Sequence, residues 1–236
     1  MVKTVIELLQ SAADRFPRRA YAYRKTDAGW TPKKFSTVKA EARAVAASLI
    51  KRGFEKNNAM AVLSEGSPEW IVGEFSTIMA GGAAVPLSIK LLPSEIPFRL
   101  NHSESKGVFF SKNTAEKIFQ VKDQIEDPDY LFIFLDDDPD FMRQLVEDYD
   151  LEIGRNLVAL SSLITEGLQN TEGCAKVDRI CRELQPDDTV TISYTSGTTG
   201  NPKGIMLTHQ NYIANSSEAI EVFRIPPGYQ TLLILP

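Results

Sequence analysis

Short runs of apolar residues alternate along this chain with longer stretches in which apolar positions recur every three or four residues. The short runs, at 59–64, 83–87, 107–111, 130–135 and 189–194, suit buried strands. A run at 20–24 and the apolar stretch 204–207 add two further strand candidates, and the last run, at 231–236, another. Between them the spacing predicts helices at 6–16, 36–52, 68–80, 94–103, 113–121, 139–149, 175–184 and 208–224. In the second of these, Val38, Ala42, Val45, Ala46 and Leu49 fall on one helical face. Strands alternating with helices predict an α/β architecture built on a mainly parallel sheet.

Local punctuation sharpens several boundaries. Ser67 is placed to accept orphan amides, Pro68 suits a first helical position and Glu69 complements the dipole of a helix that Gly81 and Gly82 should stop. Ser36 or Thr37 is expected to cap the second helix, Gly53 to end it, and Thr208 to start the last one. The region 150–185 shows no clear pattern beyond its final helix.

Composition narrows the function class. The 236 residues are 43% hydrophobic and 24% charged, with a formal net charge of -5. That is globular composition with enough apolar material for a sizeable core, and no basic stripe argues for nucleic acid. Two cysteines, Cys174 and Cys181, make no disulfide framework and are expected to be plain thiols in a reducing compartment. Glu7 and Gln10 interrupt the first apolar run, so it is no secretory leader. No stretch approaches the roughly 20 apolar residues of a membrane span. A cytoplasmic location follows as the expectation. The acidic run 135–140 is expected to be a solvated loop with helix-start acids, His102 a surface residue, and Trp30 and Trp70 packing residues. No metal site is expected within the chain.

One stretch resists a purely structural reading. Between Tyr194 and Gly204 stand four small hydroxyl residues, three glycines, one proline and a single cation, Lys203. Glycines let the backbone approach a ligand, and successive amides form an anion-binding concavity. Thr195, Ser196, Thr198 and Thr199 add hydroxyl donors, and Lys203 adds charge. The stretch follows a strand, where open α/β sheets bind ligands. These features point to a polyphosphate, most plausibly ATP, while a flexible linker remains the structural alternative. The pattern is neither a Walker A loop, which needs Gly before its Lys, nor a G-x-G-x-x-G fingerprint.

The segment Tyr-Thr-Ser-Gly-Thr-Thr-Gly-Asn-Pro-Lys-Gly closely resembles the phosphate-loop signature of the adenylate-forming superfamily. Residues 63–88, with Pro68-Glu69-Trp70 and Gly81-Gly82 before Val85-Pro86, resemble a second block of that family, and Gly29–Phe54 and Arg99–Ser111 resemble two more. Trp30 and the Met206–Asn211 segment look most like long-chain fatty acid–CoA ligases. The resemblance implies a flavodoxin-like, mainly parallel sheet flanked by helices, present as an incomplete N-terminal domain. By resemblance, 1–53 belong to an incomplete second subdomain, 54–225 form the α/β subdomain carrying the loop 194–204, and 226–236 supply the first strand of the truncated part.

The implied reaction joins a carboxylate to ATP, giving an acyl-adenylate and pyrophosphate, and then forms a thioester with coenzyme A, with Mg²⁺ attending the nucleotide. Thr195, Ser196, Gly197, Thr198, Thr199, Gly200 and Lys203 would hold the phosphates; His209, within a family-like block, is a candidate for the active-site wall, with a role in local structure as the alternative. The family's downstream Tyr-Gly-x-Thr-Glu block, ribose aspartate and mobile C-terminal lysine are missing. The fragment itself is therefore expected to be inactive, with no catalytic residue of its own, and its cut edge leaves room for dimerisation. An adenylating enzyme for amino or aryl acids, and a stand-alone nucleotide-binding module, are the alternatives.

Overall fold

The computed structural model describes residues 2–195, 201–224, 226 and 228–230. Its centre is a seven-stranded sheet. The strands are β3 (Ala59–Leu63), β4 (Ala83–Pro86), β5 (Ser105–Phe110), β6 (Leu131–Phe134), β7 (Leu157–Ala159), β8 (Thr189–Thr195) and β9 (Lys203–Thr208), in the spatial order β7-β6-β5-β3-β4-β8-β9. Every neighbouring pair from β7 to β8 is parallel, and only β9 runs antiparallel, against β8. Within it, β4-β3-β5-β6-β7 stand in the second-first-third-fourth-fifth order of flavodoxin-like sheets. The fold expected from the sequence is therefore the one observed.

Both faces of this sheet are apolar, as a parallel sheet sandwiched by helices requires. Residues alternate between two cores. Met60 and Val62, Phe109, and Leu131 and Ile133 face one core; Ala61 and Leu63, Val108 and Phe110, and Phe132 and Phe134 face the other. Helices α1 (Val5–Arg15), α2 (Phe35–Lys51), α3 (Pro68–Met79), α7 (Leu160–Gln169) and α8 (Thr171–Glu183) contribute to the first core. Helices α4 (Ile96–His102), α5 (Lys112–Phe119) and α6 (Pro139–Tyr149) close the second.

Helix α2 lies on the N-terminal side of the subdomain boundary expected at 53/54. Its Val38, Ala42, Val45 and Leu49 share one core with Val62, Phe109 and Val177. Small residues allow α2 to approach α7 closely. A Cβ added to Gly167 would stand 1.8 Å from the Ala44 carbonyl oxygen, and the Ser48 hydroxyl donates to the Leu163 carbonyl at 2.8 Å. The strand expected at 231–236 lies outside the described residues.

Start and stop signals act largely as anticipated. The Ser67 hydroxyl accepts the Trp70 amide at 3.0 Å, and Gly81 follows the end of α3 with φ +86°. Asp138 caps α6 by accepting the Phe141 amide at 3.0 Å. Helix α2, however, begins at Phe35 with no side-chain cap; the Ser36 hydroxyl instead donates to the Pro17 carbonyl at 2.7 Å.

A separate antiparallel hairpin, β1 (Ala20–Thr26) with β2 (Gly29–Lys34), lies beside α3. Arg24 and Lys33 both pair with Glu69 of α3, Lys33 at 3.3 Å. Tyr21 packs edge-on against Phe35 and Phe75.

Candidate functional site

Loops after parallel strands gather at the carboxyl edge of the sheet, where α/β folds place ligands. Two groups of polar residues stand on that edge. The first is at the switch point, where β3 and β5 lie side by side and the chain departs in opposite directions. Here Glu65 follows β3, and Ser111 and Asn113 follow β5. The Glu65 carboxylate accepts the Ser111 hydroxyl at 2.6 Å and the Asn113 amide at 2.9 Å. The Thr114 hydroxyl donates to the Leu63 carbonyl at 2.7 Å, and Asp136 accepts the Lys112 amide at 2.8 Å. Burial opposes ionisation of Glu65, but the bonds from Ser111, from its own backbone and from Asn113 outweigh it and hold the carboxyl below its usual range. The crevice that the fold offers is thus bridged by its own side chains.

The second group is at the β8–β9 hairpin. Thr195 pairs with Lys203 and Tyr194 with Gly204. The two residues that flank the loop therefore face each other across its mouth, and both are exposed. Lys203 makes no ion pair among the described residues. Ser196, Gly197, Thr198, Thr199 and Gly200, the rest of the expected phosphate ligands, lie outside the described residues.

Sequence reasoning missed what holds this mouth. The Tyr194 hydroxyl lies 2.8 Å from His102 Nδ1 and 3.2 Å from the Arg99 carbonyl, both on α4. His102 is exposed, as anticipated, but it also stacks on Phe98 with ring centroids 5.2 Å apart. No sequence signal joins residues 92 positions apart in a single chain.

His209 stands at the other end of the hairpin, just after Thr208, the partner of Thr189. It is 1% exposed, and its Nδ1 accepts the Val5 amide at 3.1 Å. Burial lowers its pKa to about 4, against the opposing pull of Asp188 and Glu7. His209 ties α1 to the start of α9 (His209–Phe223), one strand length from Lys203.

Among the described residues, no group of three or more His, Cys, Asp or Glu is placed to hold a metal ion. No described helix is long and apolar enough to cross a membrane. Cys174 and Cys181 are both buried and unpaired.

The family model for AMP-binding enzymes matches residues 9–236. The chain belongs to the AMP-binding enzyme family. Among curated members, this AMP-binding chain is 30% identical to 4-hydroxybutyrate–CoA ligase 2 of Metallosphaera sedula over 93% of its own length and 37% of that protein. It is 27% identical to the long-chain-fatty-acid–CoA ligase ACSBG2 of Mus musculus over 98% of its length and 33% of that protein. It therefore spans about a third of the curated relatives it matches. Among solved structures, the N-terminal domain of FACL13 from Mycobacterium tuberculosis matches with TM-score 0.63 at 25% identity, over 92% of this chain and 48% of that one. The anthranilate–CoA ligase AuaEII matches in fold with TM-score 0.68 at 18% identity, over 91% of this chain and 36% of that one.

Proposed function

We propose that this chain is the N-terminal part of an ATP-dependent acid–thiol ligase that activates a long-chain fatty acid in the cytoplasm. The carboxylate attacks the α-phosphorus of ATP, forming an acyl-adenylate as the bond to pyrophosphate breaks. The thiolate of coenzyme A then attacks the acyl carbon and releases AMP. The observation that carries this reading is the mouth of the β8–β9 hairpin, where exposed Thr195 and Lys203 face each other on either side of the Ser/Thr/Gly loop.

In this reading Lys203 supplies a point charge to the departing pyrophosphate, and Thr195 with the loop hydroxyls and amides supplies hydrogen bonds. Such pre-positioned charge acts most strongly where charge builds up as the phosphoanhydride breaks. Mg²⁺ would bring further positive charge to the phosphates. By the family resemblance, an acid of the Tyr-Gly-x-Thr-Glu block would help hold it.

Similarity to a 4-hydroxybutyrate–CoA ligase at a slightly higher identity than to a fatty-acid ligase supports a second reading, with a short hydroxy acid as substrate. ATP–pyrophosphate exchange in the full-length protein separates the two. Exchange driven by palmitate and not by 4-hydroxybutyrate or anthranilate supports the first, and the reverse pattern rejects it. The 236-residue chain alone should form no thioester from ATP, palmitate and coenzyme A; turnover would contradict the fragment's proposed inactivity. Uncovered apolar side chains, Met206 on the edge strand β9 and Val222 and Phe223 at the end of α9, at 64%, 73% and 75% exposure, would in the isolated chain favour pairing with a second copy. Sedimentation over a concentration series reads this directly.

A further inference from the structure

Tyr194 bridges the two arms of the hairpin. It immediately precedes Thr195 on one arm, and on the other its ring covers Gly204, where an added Cβ would come within 3.5 Å of the ring. A glycine opposite an aromatic on an antiparallel pair leaves the ring free to lie across both strands. The same ring faces the Arg99 guanidinium, whose carbon lies 5.9 Å from the ring centroid. Arg99 is itself 8% exposed and fixed to the start of α4, donating to the Glu95 carbonyl at 2.6 Å and pairing with its carboxylate at 3.5 Å.

The hydroxyl completes the connection. One tautomer of His102 satisfies every group: Nδ1–H donates to the Tyr194 oxygen, and the Tyr194 proton goes to the Arg99 carbonyl. Arg99 and His102 are thus joined through a single phenol, and that phenol sits on the two arms that carry Thr195 and Lys203. We propose that Tyr194 is a positioning residue, anchored by His102 and Arg99 of α4, that sets the spacing of Thr195 and Lys203 for a polyphosphate. This rests on the reading of those two residues as phosphate ligands. Without the anchor, the hairpin mouth would be held only by its own last strand pairs, which fray at strand ends.

Three variants of the full-length protein test it: Tyr194→Phe, His102→Leu and His102→Gln. The first arm measures hydrogen exchange at the amides of Tyr194, Thr195, Lys203 and Gly204 without ligand. Exchange should rise roughly fivefold in Tyr194→Phe and His102→Leu and return close to the wild-type rate in His102→Gln, whose amide can still reach the phenol. Unchanged exchange in the first two, or no rescue by glutamine, overturns the anchor. The second arm titrates inorganic tripolyphosphate. The dissociation constant should rise roughly fivefold in the same two variants; a constant equal to that of wild type overturns the positioning role. A wild-type chain that binds no tripolyphosphate overturns the phosphate reading on which the role rests, and the ligand-free arm still decides the anchor.

Discussion

The switch point between β3 and β5 and the mouth of the β8–β9 hairpin lie on the same edge of one sheet, yet they use their polar residues in opposite ways. At the switch point, Glu65, Ser111, Asn113 and Thr114 bond to one another or to the chain. At the hairpin, Thr195 and Lys203 face outward. A flavodoxin-like strand order by itself directs attention to the first place. The distribution of satisfied and exposed donors directs it to the second. Fold topology marks a region where ligands bind, and hydrogen-bond accounting decides which part of it has groups to offer.

That contrast predicts that changes at the switch point register as stability, and changes at the hairpin as chemistry. The largest stability effect is expected from Glu65→Ala, which removes the charged acceptor of buried Ser111 and of exposed Asn113. A loss of about 2–3 kcal/mol should appear in urea unfolding, and a loss under about 0.5 kcal/mol, the scatter of surface changes, would erase the contrast.

A smaller effect belongs to His209, away from both places. Its folded pKa of about 4 lies below the usual 6.5, so the unfolded chain binds the proton first. Stability is fully present above pH 6.5 and lost as pH falls toward about 4. His209→Gln should remove that acid-side slope, on the order of 2 kcal/mol. An unaltered slope would reassign acid sensitivity to other groups.

The smallest effect is expected at Glu74, whose carboxyl burial pushes up to about 7. The folded chain holds that proton where the unfolded chain has released it, so stability declines from pH 4.5 to about 7 and stays lower above. Glu74→Gln should gain about 1 kcal/mol at pH 8 and nothing at pH 4. Equal gains at both values would point to packing instead of charge.

Much of the fold was legible in the sequence because local and tertiary preferences agree. Helix α3 carries its cap, its first-turn proline and its stop glycine within one segment, and the strand at 130–135 is apolar on both faces. Strand β2 escaped because every position is exposed or partly so and Pro32 argues against a strand. Its place on a two-stranded edge is what tolerates that proline. Strand β7 has three residues, too few for any periodicity. Helix α7 has Leu160, Leu163, Ile164 and Gly167 at helical spacing, but Ser161, Ser162, Thr165 and the glycine itself weaken the signal. Close packing on Ala44, invisible to propensity, is what Gly167 serves.

For the site, the loop stood out because glycines and small hydroxyls gathered around one lysine suit an anion. The tie from Tyr194 to His102 did not stand out, because a long-range hydrogen bond leaves no periodic trace. The bond from the Val5 amide to His209 escaped for the same reason, since the two residues stand 204 positions apart.

The central claim concerns Lys203. In the full-length protein, Lys203→Ala should slow ATP–pyrophosphate exchange on the order of a hundredfold, the size seen when one pre-positioned donor to developing charge is removed, with unfolding free energy unchanged to within about 0.5 kcal/mol. Exchange at the wild-type rate in a folded variant would contradict the account.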